Sequence, residues 1–138
     1  MDWKTLNAQV IAEFRANQGK VAQFGDLPVV ILHTIGAKTG RLLEVPLIVV
    51  LEDDGTMLLF GTNAGSKSPP VWAFNLRANP EITIEYSTET FRANMIELSG
   101  KDREERISIQ SERTPIFAEY VASAAPRQVP VFTIQRLG

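Results

Sequence analysis

Three of the links between the apolar runs of this chain are too short to be anything but hairpins. Pro28 introduces Val29-Val30-Ile31-Leu32, a β-branched run that reads as a buried strand. The glycine turn Gly36–Arg41 separates it from a second run, Leu42 to Leu51. Asp53-Asp54-Gly55 turns the chain into Met57–Phe60, and Ser87-Thr88-Glu89 joins Glu81–Tyr86 to Thr90–Leu98. A parallel pair needs a crossover of about a dozen residues or more, so links of this size impose antiparallel pairing. Val129–Ile134 adds a last strand. The expectation is a mainly β (α+β) fold: an antiparallel barrel of about six strands, closed or partly closed, with flanking helices.

Helical spacing marks the ends of the pattern. Trp3, Leu6, Val10, Ile11 and Phe14 fall on one stripe, with Asp2 as cap and Gly19 as terminator. The stripe fits a helix packed on the core better than one lying on a membrane, because Lys4 and Arg15 share it with Glu13. A short helix follows Pro70 and ends at Asn79-Pro80, and a charged helix begins near Ser99. With 138 residues and 44% apolar content, the chain is expected to form a single domain, residues 1–138, with a real core. The net charge of -2 gives no basic field for nucleic acid. The absence of cysteine removes thiol nucleophiles, thiolate metal sites and iron–sulfur clusters. The N-terminus lacks the order of a signal peptide, and no apolar run is long enough to span a bilayer, so the expected location is the cytoplasm.

Two turns can seat an anion. Gly36-Ala37-Lys38-Thr39-Gly40-Arg41 combines glycines, which allow close backbone approach, with two cations. It lacks Walker spacing, and an ordinary hairpin turn is the alternative. Asn63-Ala64-Gly65-Ser66-Lys67-Ser68-Pro69-Pro70 is the second turn, ahead of the Trp72 helix, and Lys67 carries the same ambiguity. Both follow strands and can converge at one end of a barrel.

Tools for acid–base or nucleophilic catalysis are scarce. His33 is the only histidine, and no nucleophile elbow accompanies it. It reads as structural or ligand-lining, without the spacing of a metal site. Glu52-Asp53-Asp54 and Arg103-Glu104-Glu105 read as solvated surface. An enzyme built on this chain would draw its reactivity from a cofactor.

Residues from about 8 to 137 resemble the deazaflavin-dependent nitroreductase family, actinobacterial split-barrel proteins that use coenzyme F420. The resemblance runs through Glu13–Val21, His33–Gly40, Val45-Pro46-Leu47, the Asn63–Pro80 stretch with Pro70, Trp72, Asn75-Leu76 and Ala78-Asn79-Pro80, and Val129-Pro130-Val131. It implies a split β-barrel and an F420H2-dependent oxidoreductase passing a hydride to a small electron-poor acceptor: a quinone, an activated alkene or a nitro compound. It also implies that the first turn, with Gly36, Ala37, Lys38 and Thr39, meets the phosphate or acidic tail. Leu43, Val45, Pro46, Leu47 and Ile48 would line the deazaflavin with Phe60, Gly61, Thr62 and Asn63. Lys67 would serve the second turn, and Val71, Trp72, Phe74 and Asn75 would close the other side. Phe117 and Tyr120 would cover the acceptor, with Tyr120 as the candidate proton donor. Departures from the family pattern are Leu43 in place of a common arginine, Ala64-Gly65 in place of Gly-Gly, and Phe117 in place of an aromatic hydroxyl. The alternatives are an FMN-binding split-barrel reductase and a non-catalytic carrier of a flavin-like ligand.

Overall fold

A computed structural model describes residues 3–138. Its strands are β1 (Val29–Ile35), β2 (Leu42–Ile48), β3 (Val50–Leu51), β4 (Met57–Phe60), β5 (Glu81–Tyr86), β6 (Glu89–Glu97) and β7 (Val131–Arg136). The helices are α1 (Trp3–Ala16), α2 (Val71–Ala78), α3 (Gly100–Arg113) and α4 (Pro115–Ala124). All strand pairs are antiparallel, in one sheet ordered β2-β1-β5-β6-β7-β4-β3.

The run Leu42–Leu51 was expected as one strand but forms two, and the break shapes the fold. β2 pairs with β1 at one edge of the sheet, whereas β3 pairs with β4 at the other. Only Val49 separates them. Two Cα steps span at most about 7.6 Å. A flat sheet of this many strands would hold its edges roughly 29 Å apart. The sheet therefore curls until its edges nearly meet, as an antiparallel half-barrel. Val49 is buried at the crossing, and its N–H donates to the Pro28 carbonyl at 3.0 Å. Because β2 is an edge strand, Pro46 can sit within it without removing an inner ladder bond.

β1 is buried on both faces, which explains its unbroken apolar run. Val30 and Leu32 point into the barrel with Leu59, Ile82, Ile84 and Phe132, while Trp72, Ala73 and Leu76 of α2 join that core. Val29 and Ile31 point outward against Ile11, Phe14 and Val21. The α1 stripe therefore packs on the sheet through its second half, whereas Leu6 is 39% exposed. Asp2, the expected cap, and the side chain of Trp3 lie outside the described residues. The chain leaves α1 through Gly19, whose N–H reaches back to the Phe14 carbonyl at 2.8 Å. Arg106 of α3 bonds Glu52, which ties that helix to the β3–β4 hairpin and gives this acidic residue a partner. Among the described residues, no helix is long and apolar enough to cross a membrane.

Candidate functional site

A groove of about 1120 Å³ opens between α1, β2 and the start of α2. From β2 it receives Leu42, Leu43, Glu44 and Val45, and from the second turn and α2 it receives Asn63, Ser68, Pro69, Pro70, Val71, Trp72 and Asn75. Lys4, Asn7, Ala8, Ile11, Ala12 and Arg15 form the α1 wall. Sequence reasoning missed this wall. The signal was present: Lys4, Ala8 and Ala12 form one i,i+4 row, and Asn7, Ile11 and Arg15 form the neighbouring row.

The first turn abuts the groove through Asn75. This side chain is 4% exposed, and its Oδ1 accepts the Ala37 N–H at 2.9 Å. Gly36 is buried where the turn closes on itself, its N–H donating to the Arg41 carbonyl. Lys38, Thr39 and Arg41 are exposed, and Thr39 Oγ1 accepts the Arg41 N–H at 3.2 Å. No carboxylate pairs with Lys38 or Arg41 among the described residues. Thr34, fully buried at the end of β1, donates to the Leu43 carbonyl at 2.9 Å and so fixes the groove edge of β2.

The second turn contains left-handed residues in succession: Asn63 (φ 47), Ala64 (φ 53) and Gly65 (φ 82). A side chain at Gly65 would press on Ser123 and on the backbone of Tyr120, so α4 packs directly on this turn. Trp72 has two roles. Its ring lies 5.9 Å from that of Phe132 in the core, and it also lines the groove.

The structure thus brings Leu43, Val45, Asn63, Val71, Trp72 and Asn75 to one groove, with Ala37 one hydrogen bond away. Pro46, Leu47, Ile48, Phe60, Gly61, Thr62, Lys67 and Phe74 do not line it. Lys67 Nζ donates to the Ala125 carbonyl at the end of α4. Phe74 is 48% exposed under the guanidinium of Arg77. Phe60 packs edge-on against Phe117, with ring centroids 4.9 Å apart. Tyr120 is half-buried on α4 and, like Phe117, is not among the lining residues.

His33 is joined to an ionic cluster that the sequence did not suggest. Its Nε2 lies 2.7 Å from Glu85 Oε2 and 3.7 Å from Glu44 Oε2. Arg15 donates from Nε to Glu85 Oε1 at 3.0 Å and from Nη2 to both Glu85 and Glu44. The Arg15 hydrogen bonds, assisted by His33, hold the Glu85 carboxyl below the usual carboxylate range. The same carboxylates raise the Arg15 pKa. His33, Glu44 and Glu85 have the donor types of a metal site, but a guanidinium already serves as their cation. The cluster fastens α1 to the sheet beside the groove.

Comparison with known proteins agrees with this architecture. A sequence model of the F420H(2)-dependent quinone reductase family matches residues 6–136. An F420H(2)-dependent quinone reductase of Mycobacterium tuberculosis (strain ATCC 25618 / H37Rv) is 26% identical over 129 residues, covering 91% of this chain and 86% of that protein. A solved F420-H2 dependent reductase (FDR-A) superposes with a TM-score of 0.66 at 32% identity, covering 78% of this chain and 94% of the other. A structure described as a domain-swapped dimer gives 0.67 at 30% identity, covering 96% and 99%. With nearly its whole length matched, the chain belongs to the F420H2-dependent quinone reductase family, oxidoreductases whose coenzyme is F420.

Proposed function

We propose that this chain transfers a hydride from reduced F420 to a quinone in the groove between α1, β2 and α2. The composition of the groove carries the reading. Leu43, Val45, Pro70, Val71 and Trp72 supply apolar walls, Lys4, Asn7, Asn63 and Asn75 supply donors, and the lining carboxylate Glu44 is paired with Arg15. This set fits a planar, polyanionic coenzyme: flat apolar surface for the ring, and N–H groups with cations for charged oxygens. Lys38 and Arg41, exposed on the first turn, extend the positive charge beyond the groove.

When bound, the coenzyme supplies the hydride. The residues of the chain position the reactants and exclude side reactions. Val45, Val71 and Trp72 hold a ring in place. Asn75 locks the first turn through Ala37, which keeps the tail-binding end rigid. Negative charge developing on the acceptor oxygen meets the N–H donors of the groove, and solvent supplies the proton.

The test is titration with F420 and FMN side by side, followed by steady-state turnover with reduced F420 and quinone, nitroaromatic and enone acceptors. Reversible F420 binding with quinone turnover is expected. Preferential FMN binding, or F420 binding with no turnover of any quinone, ends the reading.

A further inference from the structure

One side chain holds three carbonyls in the second turn and the two residues that lead into it. Arg127, in the link between α4 and β7, donates from Nε to the Ser66 carbonyl at 2.9 Å and from Nη2 to the Thr62 carbonyl at 2.9 Å. Its Nη1 donates to the Gly61 carbonyl at 3.2 Å and to that of Gln128 at 3.3 Å. No carboxylate pairs with it among the described residues, and partial burial lowers its pKa. A half-buried guanidinium without a counter-ion costs free energy unless its forked donors are met. Here the backbone of the turn meets them. Lys67 bonds in the opposite direction, from the turn to the Ala125 carbonyl.

The turn needs such a hold. Asn63 and Ala64 are both left-handed without being glycine; asparagine tolerates that region, but alanine adopts it only at a cost. The turn's own bonds are local: the Gly65 N–H reaches the Thr62 carbonyl, the Ser66 N–H reaches that of Asn63, Asn63 Nδ2 donates to the Ser68 carbonyl and the Ser68 N–H donates to Ser66 Oγ, and none of them ties the turn to the rest of the fold. Yet the turn presents Asn63 to the groove and leads into Ser68 and Pro69, which also line it. Arg127 is not a lining residue.

We propose that Arg127 is a positioning residue: it fixes the backbone of residues 61–66, and thereby the groove wall formed by Asn63, Ser68 and Pro69. Its consequence for coenzyme affinity rests on the F420 reading above. The guanidinium acts on whatever the groove binds only through this wall. Lysine is a partial substitute, because one ammonium cannot span carbonyls that a planar fork reaches together.

The experiment compares wild type, Arg127→Ala, Arg127→Lys and a destabilised core control, Ile82→Val. Amide hydrogen exchange is read on the unliganded proteins, at Gly65 and Ser66 against Gly36 and Gly40 of the first turn. F420 affinity is read by coenzyme fluorescence. In Arg127→Ala, exchange at Gly65 and Ser66 is expected to rise about 10-fold or more with the first turn unchanged, and F420 Kd to rise about 10-fold. Millimolar guanidinium chloride, but not sodium chloride of equal ionic strength, is expected to restore part of that affinity. Arg127→Lys should fall between, and it carries the same comparisons if the alanine variant does not fold. Ile82→Val should leave Kd within about 2-fold. Unchanged exchange at Gly65 and Ser66 overturns the proposal, as does faster exchange with wild-type Kd. If wild type itself binds no F420, the functional reading fails. Exchange alone then decides whether Arg127 holds the wall.

Discussion

Asn75 and Ala37 join the two halves of the groove. The Asn75 Oδ1 on α2 accepts the Ala37 N–H of the first turn at 2.9 Å, and the Asn75 side chain is buried. Helix and turn, 38 positions apart in sequence, therefore form one rigid corner. Asn79, one helical turn on, makes a longer 3.5 Å contact with the Ile35 carbonyl. Asn75→Ala is expected to cost about 1–2 kcal/mol of stability and to weaken F420 binding. Chemical denaturation and coenzyme titration check the two effects. Lost stability with unchanged coenzyme affinity would make the residue structural only.

Lys38 is exposed and unpaired, so its contribution is electrostatic and open to screening. Lys38→Ala is expected to weaken F420 binding by about 0.5–1 kcal/mol at low salt. The difference from wild type should shrink at high salt. Equal affinities at low salt would remove Lys38 from the coenzyme site.

Ala64 holds a left-handed conformation (φ 53) with an exposed side chain, where the family pattern has glycine. Ala64→Gly removes the Cβ clash of that conformation, and little packing is lost. A gain of about 0.5–1 kcal/mol is expected, smaller than the full relief because glycine also loosens the unfolded chain. A urea midpoint at or below that of wild type contradicts the strain argument.

Glu85 makes stability depend on acid. Its folded-state pKa is depressed by Arg15 first and His33 next, from an ordinary value of 4.5. The unfolded chain therefore takes up a proton more readily than the folded one. The resulting stability is fully present above about pH 4.5 and is lost as pH falls through the folded-state value. Glu85→Gln should be less stable than wild type at pH 7 by about 1–2 kcal/mol and should approach it in acid. Parallel urea midpoints for the two proteins from pH 7 to pH 3 would refute this assignment.

The α4 backbone at Tyr120 abuts Gly65, and Tyr120 is not among the groove-lining residues. Tyr120→Phe is thus expected to leave F420 affinity and quinone turnover within about 2-fold of wild type, with solvent as proton source. A 10-fold fall in turnover at unchanged affinity would restore the hydroxyl as donor.

What the sequence determined by itself was local. Hairpin-sized links dictated antiparallel pairing, because no crossover fits in them. Alternation at Glu81–Tyr86 marked β5 at its observed bounds, and Pro70 and Asn79-Pro80 bracketed α2. The two glycine turns and the Trp72 helix, read in order, marked much of the groove. What only the tertiary structure decided was which surfaces meet. The break at Val49 was invisible because Val45–Leu51 is apolar throughout, and burial at the crossing demands the same residue types as a strand. The α1 wall escaped because its face shares Ile11 with the core stripe and is otherwise small and polar. Arg127 and the Arg15–Glu85–His33 cluster escaped for another reason. Their partners lie 61 to 66 and 52 to 70 positions away, and no local periodicity records a contact that the curl of the sheet creates.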